Sequence, residues 1–127
     1  EIQKYNQIKK ILIAGISYAE NVDDIRNSRS LDMINDIYKK NKKVTIYDPV
    51  VKILSYKKIE IIRNSKKLNE YDLIIFNVKH KQFEKIKFNK INNNILIIDT
   101  NNVLNQKQIN EILNKKIKLK VIGRGDI

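Results

Sequence analysis

The chain is built from short apolar runs of strand length separated by polar stretches, some of which carry helical periodicity. Residues 10–14, Lys-Ile-Leu-Ile-Ala, end at Gly15 and are followed by a polar, acidic stretch at 16–27. Ser28 or Ser30 then stands where an N-cap accepts a backbone N–H, ahead of Leu31, Ile34, Ile37 and Tyr38 at helical spacing. Residues 44–47 predict a second strand, stopped by Asp48-Pro49 because proline has no N–H for a central ladder. Residues 59–62 predict a third strand, with a helical turn at 66–70 capped by Asn64 or Ser65. Residues 73–78 form the fourth and most apolar run, and 95–98 the fifth, ending at Asp99. Ile109, Ile112 and Leu113 predict a helix within 105–116, and 119–122 predict a sixth strand before Gly123-Arg124-Gly125.

Strands buried on one face alternate apolar and polar residues, whereas these are continuous, as expected of a parallel sheet covered on both sides. Right-handed crossovers then close it as an α/β, Rossmann-like doubly wound sheet of about six mostly parallel strands with helices on both faces. Residues 1–9 read as a lead-in and 10–127 as one domain. Ligands of such sheets sit beyond the carboxyl ends of the strands. That directs attention to residues 15–27, 47–50, 78–83 and 99–103.

Composition narrows the chemistry. The 127 residues suit one domain, and the absence of cysteine excludes disulfides, thiolate metal sites and a cysteine nucleophile within them. No apolar run approaches the roughly 20 residues that cross a bilayer, which gives an expectation of a cytoplasmic domain without membrane contact. Lys+Arg 26 against Asp+Glu 14 leaves a net charge of +12, compatible with a polyanionic partner. Only Arg26, Arg29, Arg63 and Arg124 are arginines, however, and the lysines cluster at 39–43 and 115–120, after the predicted helices. Cations there complement the helix C-terminus. With Tyr38 as the one aromatic neighbour, they offer no stacking platform for nucleic acid.

A dinucleotide fingerprint needs three glycines after the first strand, and only Gly15 is present. Asp48 ends the second strand as the ribose-binding acid would, but it follows Gly15 at well beyond the usual interval of about 20 residues. It reads as a turn acid, and the domain is not expected to hold NAD by itself. Asn21, Asp23, Asp24, Arg26 and Ser28 surround Ile25 in the first loop. They admit two readings, a self-bonded loop in which Arg26 bridges an acid, or an Arg26 facing an anion near a helix N-terminus. His80, the single histidine, lacks the partners of a metal site and reads as a hydrogen-bonded loop residue.

The run from Gly15 to Ser28, Gly-Ile-Ser-Tyr-Ala-Glu-Asn-Val-Asp-Asp-Ile-Arg-Asn-Ser, followed by a helix and Val44-Thr45-Ile46-Tyr47-Asp48-Pro49, resembles the C-terminal domain of the UDP-glucose/GDP-mannose dehydrogenase family. His80-Lys81-Gln82-Phe83, Asp99-Thr100-Asn101-Asn102-Val103-Leu104 and Ile122-Gly123-Arg124 resemble its later motifs in order. The run 25–29 is most similar to members acting on UDP-N-acetylhexosamines.

The resemblance implies the nucleotide-sugar-binding domain of a larger enzyme. Its parent would be an NAD-dependent UDP-sugar 6-dehydrogenase, a homodimer or larger, serving surface polysaccharide synthesis. NAD, the catalytic cysteine and the dimerisation segment belong to preceding parts of such a parent, so these residues alone are expected to be inactive. By resemblance Tyr18, Ala19, Asn101 and Asn102 stand at substrate-binding positions, and Arg26 at one that reaches towards the cofactor. The chain departs from the family pattern in two places. Ala19 replaces a lysine that donates to the bound nucleotide sugar, and Asn101 and Asn102 stand where many members carry arginine. Loss of a charge-assisted donor costs about 1.5–3 kcal/mol, more than tenfold in affinity. The alternatives are therefore a sugar nucleotide held differently, a catalytically degenerate member of the family, or a non-catalytic basic module binding RNA or another polyanion.

Overall fold

The computed structural model describes residues 8–26, 28–40, 43–64 and 67–122. Strand β1 (Ile11–Ala14) leads through the first loop to helix α1 (Arg29–Lys40) and strand β2 (Val44–Tyr47). A hairpin of β3 (Ser55–Tyr56) and β4 (Ile59–Ile62) precedes β5 (Leu73–Phe76), and β6 (Leu96–Asp99), α2 (Gln106–Asn114) and β7 (Lys118–Val121) complete the order. The sheet runs β3-β4-β2-β1-β5-β6-β7, with every pairing parallel except β3 with β4.

Alternate side chains of each central strand face opposite layers. Leu12, Ala14, Ile74, Phe76 and Ile97 lie in one core with Phe83, Phe88 and Ile112 of α2. Ile11, Ile13, Val44, Ile46 and Ile75 lie in the other with Ile34 of α1. Opposite faces for the two helices follow from right-handed crossovers that leave β1 and β6 in opposite directions across the sheet. The registered row Ile46–Ile13–Ile75–Ile98 shows why four continuous runs were needed. At the carboxyl end, small Ala14 is flanked by Tyr47 and Phe76.

The helix ends obey the capping signals. Ser28 Oγ accepts the Ser30 N–H at 3.1 Å ahead of α1, and Asn105 and Gln108 form a reciprocal capping box on α2. Lys39 and Lys40 close α1 where its dipole is negative; Lys42 lies outside the described residues.

Several expectations are corrected. The sheet has seven strands, because Ser55–Tyr56 pairs with β4 across a turn at Lys57 (φ 56°) that carries no glycine or asparagine signal. The turn expected at 66–70 is a single 3-10 turn at Leu68–Glu70 preceded by Lys67, whose side chain makes no capping bond; Asn64 does not cap it, and Ser65 lies outside the described residues. The fifth run enters the sheet as Leu96–Asp99, one residue later than expected. The fourth run leaves the sheet after Phe76, and a 3-10 helix at Lys81–Lys85 follows.

Candidate functional site

The sheet reverses its winding between β1 and β5, since β1 leads by α1 to β2 on one side while β5 leads to β6 on the other. At that switch point a cleft of about 490 Å³ opens, lined on the β1 side by residues 17–20 and 28–30 and on the β5–β6 side by Asn77, Lys79, Thr100 and Asn101. Open α/β sheets bind ligands in this crevice.

Gly15 makes the turn possible. Its φ of 109° is unfavourable for a side chain, and an added Cβ would lie 2.6 Å from both the Cβ and the backbone N of Val78. The chain beyond it is held by Asp48, which is fully buried at the end of β2. Asp48 Oδ2 accepts the N–H groups of Ile16 (2.8 Å) and Ser17 (3.2 Å), and Oδ1 those of Val50 (2.9 Å) and Val51 (3.1 Å). His80 Nε2 lies 2.9 Å from the same Oδ2. The Asn21 backbone N–H donates to His80 Nδ1 at 2.9 Å, so that nitrogen is an acceptor and Nε2 carries the proton given to Asp48. Burial pushes the Asp48 carboxyl up, but the His80 bond and the N–H groups of Ile16 and Val50 outweigh it and hold the group below its ordinary value. Asn21 Oδ1 in turn accepts the Lys81 N–H at 2.9 Å.

The floor of the cleft is a second network. Asn77 Nδ2 donates to Ser30 Oγ, and Thr100 Oγ1 donates to Asn77 Oδ1 at 2.6 Å. One amide therefore joins the first turn of α1 to the ends of β5 and β6. Asp99, fully buried like Asp48, accepts the N–H groups of Asn101, Val103 and Leu104 at 2.8–3.2 Å and fixes the turn that carries Asn101.

Tyr18, Ala19 and Asn101 are thus brought together, with the Tyr18 side chain 61% exposed at the rim. Asn102 is adjacent, at φ 55°, but does not line the cleft. Arg26 does not line it either; its guanidinium makes paired hydrogen bonds of 3.1 and 2.9 Å with Asp24. The self-bonded reading of the first loop is the arrangement found. Asp24 also accepts the Arg26 N–H, and Asp23 accepts that of Lys52. His80 is a hydrogen-bonded loop residue as expected, whereas Asp48 does much more than close a turn. Arg29, Asn77, Lys79 and Thr100 line the cleft although the sequence marks none of them as a site residue, and Ser30, marked there only as a helix cap, lines it too; only their positions after β1, β5 and β6 signal them. Gly123 and Arg124 lie outside the described residues.

Among the described residues, the acid at the ribose position does not fit NAD. Asp48 is enclosed and saturated by backbone N–H groups, leaving no carboxylate at the ribose position.

A parallel sheet with a polar cleft at its switch point and the start of a helix in the cleft wall defines an α/β ligand-binding domain of the Rossmann-like class. The UDP-binding-domain model of the UDP-glucose/GDP-mannose dehydrogenase family matches residues 12–106, and the chain belongs to that family. No curated protein matches it. Among solved structures it is similar to UDP-D-ManNAc dehydrogenase from Pyrococcus horikoshii, at 22% identity and a TM-score of 0.68 over 99% of this chain. It is also similar to NDP-N-acetyl-D-galactosaminuronic acid dehydrogenase from Methanosarcina mazei Go1, at 23% identity and a TM-score of 0.74 over 97% of this chain. The chain spans 29% and 27% of the lengths of those two proteins.

Proposed function

We propose that the cleft at the β1–β5 switch point binds the diphosphate and sugar of a UDP-sugar, as one half of a nucleotide-sugar 6-dehydrogenase. The observation that carries this reading is the first turn of α1 in the cleft wall of a chain belonging to a UDP-binding-domain family. Backbone N–H groups and the dipole at a helix N-terminus favour a phosphate. The Ser30 hydroxyl, which accepts from Asn77, keeps its own proton to donate. Arg29 on the β1 side and Lys79 on the β5–β6 side line the same cleft and supply cations that Ala19 does not. Tyr18 and Asn101 form the rim against the sugar, and Asn102 supports the Asn101 turn. Arg26, 86% exposed on the far side of its Asp24 pair, faces NAD carried by another part of the parent protein. That part also supplies the oxidant and the nucleophile, and the substrate is of the UDP-N-acetylhexosamine or UDP-glucose type.

Titration of the chain with UDP, followed by backbone amide spectra, tests the reading. Shifts at Tyr18, Ala19, Ser30, Asn77 and Asn101 are expected. An unchanged spectrum at millimolar UDP, or shifts that leave these residues untouched, contradicts it.

A further inference from the structure

A second concavity, of about 590 Å³, shares no residue with the cleft and opens between the β4–β5 connection and the segment after the 3-10 helix at Lys81–Lys85. Its rim carries Arg63, Lys67, Lys85, Lys87 and Lys90, and its lining contains no acid. All five side chains are exposed, and none is ion-paired among the described residues. Cations gathered without counter-charges repel one another, so an anion placed among them relieves that repulsion.

The walls are fixed. Asn69 Nδ2 donates to the Lys90 carbonyl at 3.1 Å, and its Oδ1 accepts the Asn92 N–H at 2.8 Å, joining one side of the groove to the other. Leu68 and Ile91 give it an apolar floor beside Pro49. Tyr47 completes that floor at 7% exposure, its ring edge-on to Phe83 at 5.0 Å. The Tyr47 hydroxyl has no hydrogen-bond partner among the described residues, although phenols this buried ordinarily have one.

We propose that this groove is a second site, which binds a nucleotide. Its phosphates meet the lysine rim, and its ring system lies on Pro49, Leu68 and Ile91 with a polar atom on the Tyr47 hydroxyl. A volume near 600 Å³ falls within the range of about 300–1,000 Å³ typical of small-molecule sites. An inorganic polyphosphate would engage the rim and leave the floor and phenol unused.

The experiment is an amide titration of the full chain with ATP, and in parallel with inorganic tripolyphosphate and a single-stranded RNA. ATP is expected to shift Asn64, Asn69, Ile86 and Ile91, and to bind about tenfold more tightly than tripolyphosphate through burial of its ring. Lys85→Gln with Lys87→Gln should weaken ATP about tenfold, roughly threefold for each exposed cation. Tyr47→Phe keeps the ring packing and should weaken ATP while leaving tripolyphosphate unchanged. Equal affinity for ATP and tripolyphosphate, indifference to Tyr47→Phe, shifts confined to the β1–β5 cleft, or tighter binding of the RNA would each overturn the proposal.

Discussion

Asp48 and His80, 32 positions apart, meet at 2.9 Å between Oδ2 and Nε2 with both side chains fully buried. The contact ties the end of β2 to the turn after β5 and, through Ser17 and Asn21, holds the first loop over the end of β1. The rim of the cleft is therefore set by hydrogen bonds before any ligand arrives.

Replacing Asp48 with Asn exchanges an acceptor-only oxygen for an NH₂ group that faces backbone N–H donors. The cost expected is about 3 kcal/mol, from buried donors left without partners and a broken buried pair. Urea denaturation measures it, and a loss below about 1 kcal/mol would show the carboxylate network to be dispensable.

Acid should act through the same residue. The folded Asp48 carboxyl titrates below its ordinary 3.8, so the unfolded chain takes up protons first as pH falls. The stabilisation is complete well above 3.8 and is lost as pH drops through the lower folded value. Chemical denaturation as a function of pH should show this acid limb in the wild type and a shallower one in Asp48→Asn. Equal slopes would exclude Asp48 as its source.

Gly15→Ala places a methyl group at φ 109° and 2.6 Å from Val78. Conformational strain and overpacking together should cost about 3 kcal/mol, read as a lowered melting temperature. A melting temperature equal to that of the wild type would mean the turn relaxes freely.

Ala19→Lys returns a charge-assisted donor to the cleft lining. UDP affinity should rise about tenfold by calorimetry, with the fold unchanged. No gain would mean that the ligand lies beyond reach of residue 19.

The sequence made the sheet legible because the runs of its four central strands are apolar without alternation, and β1 and β5 are buried throughout, a pattern that packing layers on both sides explain. Helices α1 and α2 were legible from their apolar spacing, and α1 also from Ser28. The β3–β4 hairpin was not, since two residues such as Ser55 and Tyr56 hold no period and Lys57 gives no turn signal. Within the site, Tyr18, Ala19 and Asn101 were identified by resemblance and share one cleft. Asn77 and Thr100 escaped notice because an Asn after an apolar run becomes a bridge only when β6 is set beside β5. The role of Asp48 was equally hidden, since its donors come from segments that meet only in the folded sheet.

The most direct test of the central claim is a crystal structure of the chain with UDP. The diphosphate should lie over the first turn of α1, within hydrogen-bond distance of Ser30 and flanked by Arg29 and Lys79. A UDP molecule seated away from α1, with the β1–β5 cleft holding only water, would contradict it.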